Sequence, residues 1–334
     1  MKAVGYTSPG PSDVFETFEL DTPTPQGRDL CVEVHAVSVN PIDTKVRSNR
    51  PPLDDGPGLV GFDAVGVVSA VGDSCELFSV GDRVWYAGSY VRRGTNAESH
   101  LVDERIVGRA PVSASDAEAA AMPLTTLTAW EGLFDRMRVD QPIAGEADVI
   151  VVIGGAGGVG SMAIQLLRAM TDLTVIATAS RPESVAWCVE LGAHHVINHH
   201  ESIVEQIDAL GLGAPSFVFS TTHTRTYLAQ IAELMAPQGR FGFIDRFPDF
   251  DISLFFPKSI SIHPELMFTR PTLSPADMTR QHEILDAAAT LVDDGSIRST
   301  MTESFGAITP ANLARAHDKV ATGTTIGKVV LEGF

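Results

Sequence analysis

Five glycines fall within seven positions: Gly154, Gly155, Gly157, Gly158 and Gly160. They follow Val149 to Ile153, an apolar β-branched run of the kind that forms a strand buried on both faces. After them Val159, Met162, Ala163, Leu166, Leu167 and Met170 recur at helical spacing. Glycines at such a strand-to-helix turn bring the backbone against a phosphate. Gly155 permits a tight turn, Gly157 lacks the Cβ that would hold a pyrophosphate away, and Gly160 lets the helix pack closely on the strand. The turn also aims the first N–H groups of the helix, on Gly158, Val159 and Gly160, at the anion, where the helix end carries partial positive charge. Strand, Gly155-x-Gly157-x-x-Gly160 and helix together predict a dinucleotide-binding unit. Val149 to Leu167 is also an uncharged run of 19 residues, but five central glycines argue against a membrane helix.

A second strand is expected over Leu173 to Thr178, followed by Ala179-Ser180-Arg181. No acid stands at its end to accept hydrogen bonds from a ribose 2′-hydroxyl. Arg181 can instead pair with a 2′-phosphate, helped by the Ser180 hydroxyl. The spacing therefore predicts NADPH.

Metal chemistry finds little support. Cys31, Cys75 and Cys188 are scattered, matching neither a disulfide framework nor a zinc spacing. His194, His195, His199 and His200 flank Val196-Ile197. On a strand, residues four apart lie roughly 13 Å apart, too far to share an ion. His282-Glu283 lacks the second histidine of a zinc-protease helix.

The elements that must position these groups follow from the rest of the chain. Its 334 residues suffice for two domains, and 44% hydrophobic with 20% charged residues suits a globular enzyme. A net charge of −18 disfavours nucleic acid and anionic membranes. The N-terminus has no apolar signal segment, which with the cysteine count points to the cytoplasm.

Residues 1–124 read as β-rich. Leu30, Val32 and Val34 alternate with Cys31, Glu33 and His35, as in a half-buried strand. Gly58, Gly61, Gly66, Gly72 and Gly81 suggest corners and turns. Ser115 opens an alanine-rich helix. Residues 125–266 alternate strands and helices, with strands at Val149–Ile153, Leu173–Thr178, Val196–Ile197, Phe217–Phe219, Arg240–Ile244 and Ser259–Ile262. Six strands with helical crossovers predict an α/β fold, a doubly wound parallel sheet. In residues 267–334, Ser274-Pro275 and Thr309-Pro310 each signal a helix start. Lys258 to His263 alternates polar and apolar residues, as a sheet edge does.

With these residues in hand, the chain resembles a medium-chain dehydrogenase/reductase. The resemblance rests on Asn40-Pro41-Ile42-Asp43-Thr44-Lys45, the GLVGFDAVGVV and VGDRV stretches, Thr128-Ala129-Trp130, GGAGGVG and Gly327-Lys328-Val329-Val330-Leu331. Within the family it is similar to the zinc-free quinone oxidoreductase branch. It is also similar to the zinc-type alcohol dehydrogenase-like group, through Ala179 to Ser184, Ala236 to Gly242 and Met267 to Arg270. The resemblance implies a Rossmann domain and a β-rich GroES-like catalytic domain to which the tail 267–334 returns.

It implies hydride transfer with a nicotinamide cofactor, with Asn40 and Thr128 near the nicotinamide. Asp43 and Lys45 could move protons or form a surface pair, and Tyr6 and Tyr86 are further possible donors. Lys328 is expected to border the cofactor, and His199 to stack where relatives carry a tyrosine. Zinc enzymes of the family have a cysteine where this chain has Asn40 and a His-Glu pair where it has Phe62-Asp63, so no zinc is expected. The implied activity is NADPH-dependent reduction of quinones or other electron-poor enones by a homodimer. The alternatives are an alcohol or aldehyde oxidoreductase and a non-catalytic NADPH-binding protein.

Overall fold

The computed structural model describes residues 1–53 and 56–334. The chain divides into two compact units, one of residues 1–127 with 268–334 and one of residues 128–267.

In chain order, the first unit begins with β1 (Lys2–Gly5) and β2 (Glu16–Glu19), paired antiparallel. β3 (Asp29–Val39) is the longest strand. Its alternation holds only over residues 32–36. Cys31 is buried as well as Leu30, Val32 and Val34, and residues 36–39 are buried without a break. Then comes α1 (Pro41–Asn49). Pro41 at its first position presets the helical φ, and the Asp43 carboxylate accepts the Asn40 N–H at 2.6 Å.

The strands β4 (Asp63–Val71), β5 (Arg83–Tyr86), β6 (Ser99–Asp103) and β7 (Val107–Arg109) follow. Gly61 and Gly81 turn with positive φ, as corners should. Gly66 instead lies inside β4, where a Cβ would come within 1.9 Å of the Glu33 carbonyl oxygen. α2 (Asp116–Ala120) starts on a capping box of Ser115 and Glu118, and α3 (Pro123–Trp130) carries the chain onward.

The second unit opens on the last residues of α3, followed by a π-helical turn, Glu131–Arg136. It then alternates β8 (Ala147–Ile153), α4 (Gly158–Met170), β9 (Thr174–Thr178), α5 (Pro182–Glu190), β10 (His195–Ile197), α6 (Ile203–Leu210), β11 (Pro215–Ser220), α7 (Thr224–Leu234), β12 (Arg240–Phe243) and β13 (Ser261–Pro264). All six strands are parallel in the order β10-β9-β8-β11-β12-β13. Numbered from β8, that is 3-2-1-4-5-6, the doubly wound order with its switch point beside β8. Val149, Val151, Ile153, Val218 and Phe241 form the core on one face with Ile203, Ile207, Leu228 and Ile231 of the crossover helices.

The tail returns to the first unit as α8 (Thr269–Leu273), α9 (Arg280–Asp293), β14 (Met301–Ser304), α10 (Pro310–Ala321) and β15 (Lys328–Glu332). β15 pairs with β14 on one side and β3 on the other, in a sheet ordered β14-β15-β3-β4-β5-β7 with β6 also on β3. Thr309 caps α10, accepting the Asn312 N–H at 3.3 Å. Gly192, Gly295 and Gly323 follow their helices at φ of 104°, 79° and 67°. The Ser274-Pro275 start is corrected. Ser274 closes α8 in the left-handed region, Pro275 begins a turn, and α9 starts only at Arg280. Among the described residues no helix is long and apolar enough to cross a membrane.

Two buried histidines tie the first unit to pH. His317 of α10 is fully buried, meets Phe15 edge-on at 4.9 Å, and neither ring nitrogen has a hydrogen-bond partner. Burial, and then the Arg47 guanidinium, push its pKa from 6.5 down to about 3. Burial likewise pushes His100 down to about 4. Both must stay neutral in the fold, while the unfolded chain binds protons below the ordinary value of 6.5. Stability is therefore whole above that pH and falls below it, by about 1.4 kcal/mol per pH unit for each histidine until its folded pKa is reached. Urea unfolding of His317→Phe should show a shallower acid loss than the parent between about pH 6.5 and about pH 4. Parallel curves for the two proteins would mean that His317 is not held neutral.

Candidate functional site

In the second unit the glycine loop joins β8 to α4. The left-handed residue is Gly154, at φ 82°, so the tight turn expected at Gly155 falls one residue earlier. Gly155 runs beside β9, its N–H on the Thr178 carbonyl at 3.1 Å, and the Gly154 N–H bonds the Thr178 hydroxyl at 3.0 Å. A Cβ on Gly155 would stand 2.8 Å from Ala177 Cβ, and one on Gly160 would stand 2.2 Å from Gly154 O. A Cβ on Gly157 would meet only Gly154 O, at 3.6 Å. The loop is thus tight beneath and open above Gly157, the shape a pyrophosphate needs. The first-turn N–H groups of Gly158, Val159 and Gly160 lack intrahelical acceptors and face that opening's end of the helix.

Sequence reasoning passed over two supports of the loop. Ser161 bonds the Ala156 carbonyl at 3.4 Å and receives the Trp187 indole N–H at 2.8 Å. Ser180 and Arg181 follow β9, and Arg181 begins α5 with its guanidinium half-exposed and 3.6 Å from Glu183. His199 follows β10, half-buried, its pKa lowered first by burial and then by His200, His223 and Arg181. Glycine loop, Ser180, Arg181 and His199 all follow carboxyl ends of neighbouring parallel strands. Thr128 is buried within α3.

In the first unit, Asn40 and Lys328 meet in one buried polar network. Lys328 enters from β15 and points its ammonium at Val39 O and Asn40 Oδ1, both at 2.8 Å, and at Asp63 Oδ2 at 3.4 Å. Burial lowers the lysine pKa, against the pull of Asp63 and Asp43. Asp63 Oδ2 also accepts from Ser38 Oγ at 2.6 Å and Asn40 Nδ2 at 2.7 Å, and Oδ1 from the Leu124 N–H at 2.7 Å. Asn40 is therefore held at both ends of its amide. Lys328 commits its donors to this network, and the network, rather than Lys328 alone, is what sequence reasoning missed. The signal was the coincidence of Asn40, Asp63 and Lys328 in three motifs far apart along the chain.

Of the two readings of Asp43 and Lys45, the surface pair fails, because Lys45 is exposed while the Asp43 carboxylate is fully buried. It accepts the Gly61 N–H at 3.0 Å as well as that of Asn40, and burial raises its pKa to about 7. Tyr6 and Tyr86 are internal, with hydroxyls on the Arg50 carbonyl at 2.8 Å and His100 Nδ1 at 3.1 Å.

Residues 26–130 match the model of the alcohol dehydrogenase GroES-like domain, and residues 158–292 that of the zinc-binding dehydrogenase domain. A zinc-type alcohol dehydrogenase-like protein of Staphylococcus aureus is 39% identical over 336 residues, covering 99% of each chain. The chain belongs to the medium-chain dehydrogenase/reductase family. It is an oxidoreductase of that family. A Rhizobium etli family member provisionally described as a zinc-dependent alcohol dehydrogenase has the same fold, with a TM-score of 0.98 at 56% identity over 100% of this chain and 98% of its own. Human quinone oxidoreductase is 34% identical over 214 residues, 63% of this chain and 61% of its own.

The family's zinc must be tested against the donors present. Catalytic zinc needs thiolate, imidazole or free carboxylate ligands around an open position. Asn40 supplies only an amide oxygen, already facing Lys328. Phe62 supplies nothing, and both oxygens of Asp63 are taken. A buried ammonium stands among these groups, where a second cation would be repelled. Among the described residues no group of three or more His, Cys, Asp or Glu could hold a metal. The residues do not fit zinc.

Removing the ammonium should expose the cost of burying its partners. Lys328→Met should lose roughly 3–5 kcal/mol in urea unfolding, as expected when one member of a buried ion pair is deleted. Lys328→Met combined with Asp63→Asn should recover a large part of it. A single-variant loss below about 1 kcal/mol would mean that the pair is not desolvated.

Proposed function

We propose that this protein is an NADPH-dependent reductase of quinones or other electron-poor enones that works without zinc. The observation that carries the reading is the Asn40–Asp63–Lys328 network. Oxidising an alcohol requires its hydroxyl proton to leave as hydride departs, which zinc enzymes arrange by binding the alkoxide to the metal. Here the corresponding residues are an amide, a phenylalanine and a carboxylate already neutralised by lysine. An electron-poor ring or alkene needs mainly orientation. The partial likeness to human quinone oxidoreductase supports the same class.

When bound, the cofactor supplies the hydride. The remaining roles belong to the chain. The N–H groups of Gly158, Val159 and Gly160, with the open face of Gly157, hold the pyrophosphate. Arg181 and Ser180 take the 2′-phosphate, with His199 against the adenosine end. Asn40, fixed at both ends of its amide, and Thr128 orient the reacting groups without changing charge. Lys328 is read as the residue that fixes Asn40. Quinone reduction consumes one hydride and one proton, and the proton can come from water at the hydroquinone oxygens.

A cytoplasmic location and a homodimer belong to the same proposal. Among the described residues β13 has a neighbour on one side only, and Phe256 and Ile252 are exposed just before it. A second copy pairing there would remove both the open edge and the apolar surface. Light scattering at micromolar concentration should give the mass of two chains, and a monomeric mass would end the dimer proposal.

Purified protein in buffer containing a chelator should oxidise NADPH with an ortho- or para-quinone or an enone. It should show negligible reduction of NADP⁺ with ethanol or benzyl alcohol, both directions being followed by nicotinamide absorbance. Robust chelator-resistant alcohol oxidation without quinone or enone turnover would reverse the assignment. NADPH binding without turnover of any acceptor would favour a non-catalytic binding protein.

A further inference from the structure

Behind the glycine loop of the second unit runs a chain of two hydrogen bonds that begins on α5. The Trp187 indole N–H donates to Ser161 Oγ at 2.8 Å, and the Ser161 hydroxyl donates to the Ala156 carbonyl at 3.4 Å. Ser161 belongs to α4 and is fully buried, Trp187 is half-buried, and Ala156 is a residue of the loop itself. The next residue of α5 closes on the same loop, since a Cβ added to Gly155 would stand 3.1 Å from Cys188 Sγ. Two successive residues of α5 therefore press on the loop, Cys188 directly and Trp187 through Ser161.

A serine inside a helix ordinarily bonds the carbonyl four residues back. For Ser161 that carbonyl belongs to Gly157, and it takes the Ser161 N–H at 2.8 Å. The hydroxyl goes one residue further, to Ala156, outside the helix. The indole N–H on its lone pair fixes where Oγ stands and, by polarising the hydroxyl, strengthens the second bond. The Ala156 carbonyl and the Gly157 N–H are the two edges of one peptide plane. Ser161 holds the carbonyl, and the N–H donates to Gly154 O at 3.2 Å. A planar peptide held at both edges is not free to rotate. It sets how Gly157 presents its open face, where a Cβ would meet only Gly154 O at 3.6 Å.

We propose that Trp187 is a positioning residue of the dinucleotide site, acting through Ser161 to hold the Ala156–Gly157 peptide in the orientation that a pyrophosphate requires. This rests on the reading of the glycine loop as the pyrophosphate site. A loop already fixed lowers the cost of binding, because the peptide need not be ordered when the anion arrives. Without the indole N–H the Ser161 hydroxyl is free to turn back to Gly157 O, and the peptide loses one of its two restraints. The pyrophosphate is common to NADPH and NADH, so the strut acts on both alike. Arg181, by contrast, bears only on the 2′-phosphate. Trp187 and Ser161 therefore set dinucleotide affinity and leave the choice between the two cofactors to the end of β9.

Trp187→Phe removes the N–H and keeps an aromatic ring, and Ser161→Ala removes one oxygen. Calorimetric titration of the whole protein should show each variant weakening NADPH and NADH by the same factor, roughly three- to tenfold, the worth of one net hydrogen bond. The double variant should lose about as much as either single one, because the two residues act as one chain. With a quinone acceptor the loss should fall on KM for NADPH more than on kcat. Arg181→Ala should weaken NADPH alone. If Trp187→Phe does not fold, Ser161→Ala carries the same comparison. Unchanged affinities with only a lower urea midpoint would make the pair a packing contact and overturn the inference. Additive losses in the double variant, or a loss confined to NADPH, would overturn it as well and leave the loop reading standing. A parent protein that binds neither NADPH nor NADH would overturn the loop reading and this inference with it.

Discussion

The Asp63 carboxylate governs the first unit. It is fully buried, so its charge must be met by hydrogen bonds and an opposite charge or it would unfold its surroundings. Ser38 and Asn40 come from the end of β3, Leu124 from the start of α3 and Lys328 from the start of β15. Each partner is fixed by being used. Asp43 adds a second buried carboxylate close enough for Asp63 to push its pKa upward, although burial is the larger cause. One ammonium serving two buried carboxylates explains why Lys328 is drawn inward rather than left on the surface.

What the sequence announced and what it concealed divide along chain distance. The glycine loop was legible because strand, turn and helix are contiguous. The caps at Ser115 and Thr309 were legible for the same reason. Local signals misled where two competed. At Asn40-Pro41 the Asp43 carboxylate on the Asn40 N–H sets a helix start that sequence reasoning did not place. Ser274-Pro275 reads as a helix start, yet α8 takes Ser274 as its own end. Gly66 reads as a corner, yet it is in mid-strand because β3 runs too close for a Cβ. Lys328 and Asn40 were both singled out, but as separate cofactor-side residues. No periodicity joins positions 40 and 328, and only strand pairing of β15 with β3 brings them together.

Electrostatics in this protein are local. A chain of net charge −18 is a poor host for a polyanionic ligand on average. Screening limits exposed charges to about 8 Å at physiological ionic strength, so groups at a site outweigh those beyond it. The second unit gathers Arg181, several histidines and the N-terminus of α4 at one end of its sheet. The first unit spends its buried lysine wholly on itself. Sequence-wide charge therefore speaks to solubility and to large polyanions, and not to the groups gathered at one end of a sheet.

The second unit is one uninterrupted segment, residues 128–267, whereas the first is built from both sides of it. During synthesis the inserted unit has every residue it needs well before Lys328 exists. At roughly 5–20 residues per second, the chain between Met267 and Lys328 takes roughly 3 to 12 seconds to make. Through that interval β3 lacks its β15 neighbour and Asp63 lacks its ammonium, while the parallel sheet and its glycine loop can already be assembled. A ribosome-bound chain of this protein would thus present a folded parallel-sheet unit on an unfinished partner, and the last strand made is the one that neutralises the core of the first.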